Sequence, residues 1–166
     1  MNDPASRLRD AGTALLALRG ALVAGEPWPL SAAYGTEPEA DWGPREVLAH
    51  VAEMLVYWPR ELRGVLTGDA ATAVPFGRIS TDPARIDGIA VGRQRPAGVL
   101  LDEIETVLAS AIAFVGGLSP ADLERRGEHP TRGEITVESG IEQFLTGHLE
   151  GHVDQMREVL ARSAPS

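Results

Sequence analysis

Apolar residues recur at three- and four-residue spacing in four stretches of the chain, the period of a helix with one buried face. The first opens at Asp3-Pro4, a cap followed by a proline suited to a first turn. It runs through Leu8, Ala11, Leu15, Leu18 and Leu22 to a stop at Gly25. The second begins at Gly43-Pro44 with Glu46 in its first turn, and carries Val47, Leu48, Val51, Met54, Leu55 and Trp58. Pro59 predicts a kink or break there, after which Leu62, Val65 and Leu66 carry a short piece to Gly68. The third spans Pro96 to Phe114, with Val99, Leu100, Ile104, Val107, Leu108 and Ile112 inward, and ends at Gly116-Gly117. A short capped helix starts at Ser119-Pro120-Ala121-Asp122. The fourth long helix follows Thr136, with Ile141, Phe144, Leu145, His148, Leu149, His152, Met156, Val159 and Leu160 on one side.

Between these stretches the period lapses. Residues 26–42 contain Pro27, Pro29, Gly35 and Pro38, and residues 69–95 contain Pro75, Gly77, Pro83, Gly88 and Gly92. A connection as long as 69–95 is unusual in a compact domain and often serves as a lid or binding element. The pattern predicts an all-α protein: one domain over 1–166, a four-helix bundle with long connections after helices one and two. Few aromatics and much Ala, Leu and Val agree with helices over strands.

Composition removes several chemistries. There is no cysteine, so disulfides, thiolate nucleophiles and sulfur-ligated metals are excluded. The net charge of −9 argues against a nucleic-acid partner, which would call for a basic patch. All fifteen basic residues are arginine, so a phosphate loop built on lysine is ruled out; a Gly-x-Ser-x-Gly elbow is also lacking. No run nears the ~20 apolar residues of a membrane span. The start, Met1-Asn2-Asp3-Pro4, has no basic segment followed by an apolar one, so a cytoplasmic protein without a membrane partner is expected.

What remains is histidine. His148 and His152 are four apart in the core stripe of the last helix, which places both imidazoles on one face. His50 interrupts the stripe of the second helix in the same way, between Val47 and Met54. A single histidine on an apolar face is usually a satisfied core residue. Three such residues, buried and unpaired, would each cost about 1–3 kcal/mol. A shared divalent metal ion on His50, His148 and His152 accounts for all three and leaves coordination positions open.

Two segments resemble the DinB-like superfamily: Trp42-Gly43-Pro44-Arg45-Glu46-Val47-Leu48-Ala49-His50-Val51-Ala52-Glu53 and Phe144-Leu145-Thr146-Gly147-His148-Leu149-Glu150-Gly151-His152-Val153-Asp154-Gln155. The turn Gly127-Glu128-His129-Pro130 through Gly133 also resembles the one before that family's last helix. The resemblance implies a four-helix bundle, often a homodimer, with one divalent ion on the three matching histidines. Zinc or nickel is the first expectation for that ion, and iron or manganese the next. It also implies thiol-dependent chemistry, since the superfamily includes mycothiol-dependent maleylpyruvate isomerase and bacillithiol- or mycothiol-type S-transferases. A low-molecular-weight thiol cosubstrate, with a small-molecule substrate, suits a chain that has no cysteine of its own.

Other residues carry open readings. Glu53, one turn after His50, is a candidate fourth ligand, a hydrogen-bond acceptor behind the ligands, or the general base, against an ordinary solvated carboxylate. Glu150 should point away from the histidine pair. His129 reads as a surface residue in a Gly/Pro-rich turn. Arg85 and Arg93 read as solvated loop arginines or as contacts for an anionic substrate, and Trp42 and Trp58 as packing around the His50 helix. The functional expectation is a metal-dependent thiol transferase, isomerase or hydrolase; the alternative is a non-catalytic metal or small-ligand binding protein in a stress response.

Overall fold

The computed structural model describes residues 3–32, 34 and 39–164. Gly35 and Pro38, two of the residues that mark the first connection, lie outside the described residues.

Helix α1 (Pro4–Leu16) starts where Asp3 accepts a hydrogen bond from the Ser6 amide, at 3.2 Å. The apolar period continues to Leu22, but the backbone breaks at Ala17-Leu18 and resumes as α2 (Arg19–Ala24). Helix α3 (Pro44–Thr67) is longer than expected because Pro59 does not stop it. Proline there removes one backbone bond, a cost of about 3 kcal/mol. Trp58, Pro59, Leu62 and Val65 are all buried on the same helix, and that packing offsets the loss.

The stretch expected as a structureless connection, 69–95, is ordered. It contains a two-residue strand β1 (Val74–Pro75) and helix α4 (Pro83–Gly92), capped by Asp82 at the Arg85 amide. Helix α5 (Ala97–Gly116) follows; Leu100, Leu101, Ile104 and Leu108 are buried, whereas Val99, expected inward, is exposed. After α6 (Pro120–Leu123), closed by the reciprocal Ser119–Asp122 capping box, come strands β2 (Arg126–His129) and β3 (Gly133–Thr136). β2 and β3 pair antiparallel, with His129 opposite Gly133, and β1 adds parallel to β2. Strands this short give alternation no length over which to show.

The last helical stretch is interrupted. Helix α7 (Val137–Ile141) passes into a π-helical turn at Glu142–Thr146 before α8 (Gly147–Ser163) begins. The Gly147 amide donates to the Glu142 carbonyl five residues back. A Cβ on Gly147 would stand 2.7 Å from that oxygen, so glycine permits the close approach.

The long helices pack in a closed ring: α1 on α5, α5 on α3, α3 on α8 and α8 on α1, with α4 added outside α3. The all-α class is as expected; the simple count of four helices is not. Leu8, Leu15, Leu48, Met54, Leu100, Ile104, Leu145, Leu149 and Met156 belong to one continuous buried cluster. Each such side chain contributes about 1.5–3 kcal/mol on burial.

Candidate metal centre

Packing α3 against α8 brings the three histidines together. His50 and His152 are almost fully buried, and His148 is half-buried. The His148 and His152 rings stack at 4.6 Å between centroids, as i, i+4 spacing on one helix face dictates. His50 faces them from α3, its Nε2 3.3 Å from Nε2 of His148, with the Trp42 ring edge-on behind it at 5.6 Å.

A fourth group completes the cluster. Glu39, from a 3-10 turn at Glu39–Asp41 at the end of the first connection, reaches in over the imidazoles. Its carboxylate lies 3.4 Å from His148 Nε2, 3.5 Å from His152 Nε2 and 3.7 Å from His50 Nε2. One ligand-type atom from each of the four residues lies within 4.8 Å of all the others. Ligands about 2.0–2.1 Å from a tetrahedral ion stand roughly 3.3 Å apart, so these spacings fit one ion.

The ring orientations fit as well. His152 Nδ1 meets Gln155 Oε1 at 2.9 Å, which assigns the proton to Nδ1 and the lone pair to Nε2. That Nε2 is buried and has no hydrogen bond of its own. Gln155 also donates through Nε2 to the Glu39 carbonyl, so one amide orients one of the four converging groups and holds the turn that carries another. Behind His50, Nδ1 lies 3.5 Å from Glu53 Oε2, and Glu53 is paired on its other side with Arg78. Glu53 therefore stands on the far side of His50 from the four converging atoms. Arg85 caps the group from α4, donating to Glu39 at 2.6 Å and to the Ser80 carbonyl at 3.0 Å.

Electrostatics favour the metal-competent forms. Burial, then the neighbouring imidazoles His152 and His148, hold His50 well below its ordinary range. Burial and His148 bring His152 down to about 4. Both are neutral at physiological pH, as nitrogen ligands must be. Burial alone would raise the Glu39 carboxyl, but the His148 hydrogen bond and the positive charge that the three imidazoles acquire only in acid outweigh it and bring it to about 2. Burial pushes Glu53 up despite Arg78.

The family model of the DinB superfamily matches residues 14–156, more than half of the 166-residue chain. The chain belongs to the DinB superfamily. No curated protein and no solved structure matches it. The matched span of this DinB-superfamily chain contains all four converging residues, and no helix among the described residues is long and apolar enough to cross a membrane.

The centre opens into a cleft of about 670 Å³ walled by Trp58, Phe144 and His129. Phe144 stacks on Trp58 at 4.3 Å and on His129 at 4.7 Å. His129, expected at the surface, is thus buried: the β2–β3 hairpin folds it inward, a tertiary effect with no local signal. Glu150 turns away from the pair, as expected, and binds Arg7 at 2.7 Å. Of the two arginines considered for an anion, Arg85 is committed to Glu39. Arg93 lies outside the cleft lining, donating to the Ser31 carbonyl at 2.6 Å and to buried Glu46 at 3.1 Å. Glu39 was missed because it follows a proline- and glycine-marked stretch in which no periodicity assigns a facing. The Asp-cap signal at Asp82-Pro83 was legible and would have placed Arg85 on a helix.

Proposed function

We propose that the chain holds one divalent metal ion on His50, His148 and His152, with Glu39 as the neighbouring carboxylate, and acts as a metal-dependent enzyme on a small molecule in the adjoining cleft. The observation that carries this reading is the buried, unpartnered Nε2 of His152, aimed at three other ligand-type atoms. A bound ion supplies Lewis acidity and lowers the pKa of a bound water or thiol. The chain supplies the rest. Gln155 fixes the His152 tautomer, the Glu53 carboxylate stands 3.5 Å behind Nδ1 of His50, and Arg78 keeps Glu53 in place. This gives Glu53 an orienting role rather than that of a general base on the open face. Arg85 shares the Glu39 carboxylate with the centre and so sets how far Glu39 can serve as a ligand.

The reaction class is a thiol-dependent transferase or isomerase, or a hydrolase, with the thiol a low-molecular-weight cosubstrate because the chain has no cysteine. Zinc or nickel suits neutral imidazole donors, and iron or manganese suits a set that includes a carboxylate. A homodimer, which the resemblance implies, and a cytoplasmic setting belong to the same reading. Glu39 also favours a second reading, since a fourth protein ligand closes the site and suits a protein that binds metal without turnover.

Elemental analysis of protein purified without an affinity tag tests the centre. About one ion per chain is expected, and none in a folded H148A/H152A variant. Undiminished metal in that variant would overturn the proposal. Turnover that needs both metal and a low-molecular-weight thiol separates the enzyme from the binding protein.

A further inference from the structure

The cleft beside the metal centre is lined by three arginines, Arg78, Arg85 and Arg132, and by two acids, Glu39 and Glu142. Four of the five are already engaged. Arg78 pairs with Glu53 and lies 3.7 Å over the Tyr57 ring, and Arg85 pairs with Glu39. Glu142 is held by Arg7 at 2.7 Å. Arg132 alone in this lining has no hydrogen bond or ion pair among the described residues, and it is exposed at the turn between β2 and β3.

That turn is built to hold its place. The Thr131 amide donates to His129 Nδ1 at 3.3 Å, and Gly133 takes a left-handed φ of +68° that brings the chain back into β3. His129 in turn is packed on Phe144. The Arg132 charge acts on the buried His129, after burial the largest influence lowering its pKa. In a chain of net charge −9, the cleft thus keeps at its rim one arginine outside the ion pairs that engage Arg78 and Arg85. A guanidinium fork matches the two oxygens of a carboxylate or phosphate. The wall next to it is aromatic and almost fully buried: Trp58, Phe144 and His129.

We infer that Arg132 is the anion-recognition residue of the cleft, and that the molecule bound there is small, with a flat apolar body and one carboxylate or phosphate group. This rests on the function proposed above for what happens to that molecule, but not for its binding. The volume, about 670 Å³, is in the ordinary range of small-molecule sites. The aromatic wall takes the apolar body and Arg132 takes the charge at the mouth.

Calorimetric titration of the full chain with phenylacetate, phenyl phosphate and neutral phenylacetamide tests it. At least one of the two anions should bind about tenfold more tightly than phenylacetamide, the worth of one charge-assisted contact, and which one does so identifies the group recognised. R132Q should erase that preference while leaving phenylacetamide binding unchanged, and R132K should keep part of it. The H148A/H152A variant should retain the Arg132-dependent preference. Anion binding in R132Q equal to that of the parent, or no preference for either anion, overturns the inference. Binding that survives R132Q but vanishes in H148A/H152A places the anion on the metal instead, which overturns this inference and supports the centre. Absence of metal with the Arg132 preference intact overturns the centre alone.

Discussion

Glu26 and Glu39 stand at opposite ends of the connection between α2 and α3, and both carboxylates are held below their ordinary range. Their surroundings differ in one respect. Around Glu26 every close partner carries a proton to donate: the Trp28 amide at 2.8 Å, the Ala97 amide at 2.5 Å and the Arg45 guanidinium at 2.8 Å. Around Glu39 only Arg85 is an obligatory donor, and the other neighbours are imidazole nitrogens, two of them buried rings held neutral. The first arrangement is complete in itself and staples the connection to α3 and α5. The second gathers lone pairs with too few protons among them, a deficit that a bound cation would resolve. Whether a half-buried carboxylate serves as a staple or suits a metal site depends on the protons its neighbours bring.

Removing the staple should give the largest effect. E26A leaves the Arg45 guanidinium and two amides without their acceptor, and should cost about 2–4 kcal/mol in chemical denaturation while metal content stays unchanged. E39Q should do the reverse. It keeps an acceptor for Arg85 but removes the negative charge, so metal affinity in a competitive chelator titration should fall about 10–100-fold while the metal-free chain changes by less than about 1 kcal/mol. Equal stability losses in the two variants would erase the contrast.

The smallest effect is in acid. Burial alone would raise Glu26, but Arg45 and the two amides together hold it lower, so below the ordinary carboxylate range the unfolded chain binds a proton more readily than the folded one. The stability Glu26 contributes is present above about pH 4.5 and is lost as pH falls through its depressed folded value. E26Q should be less stable at neutral pH and show a shallower decline in acid. Parallel acid-unfolding curves would remove Glu26 from the account.

Sequence carried the helices and the three histidines because both follow a period. Leu8 to Leu22, Val47 to Trp58 and Ile141 to Met156 mark their buried faces by spacing, and His50, His148 and His152 occupy slots in those faces. It carried much less where partners come from afar. Glu39 and Gln155 meet across most of the chain, His129 is buried only because a hairpin folds it onto Phe144, and strands of two to four residues are too short to alternate. Pro59 misled for a related reason: its cost is local, whereas the burial that offsets it belongs to the bundle.

The π-helical turn at Glu142–Thr146 has a consequence for where the imidazoles aim. Each residue of an α-helix advances the side-chain direction by about 100°, so one surplus residue would reset the phase of everything after it unless a π turn absorbs it. Upstream of the turn, Ile141 packs into the bundle; within it, Phe144 forms the cleft wall; downstream, His148 and His152 point at His50. An i→i+5 turn rotates less per residue than an α turn and so takes up the extra residue locally, leaving Ile141 on one side and His148 and His152 on the other in the directions their packing needs. The direction in which the centre faces therefore rests on that wide turn, whose closing amide belongs to Gly147, where a Cβ would stand 2.7 Å from the Glu142 carbonyl oxygen.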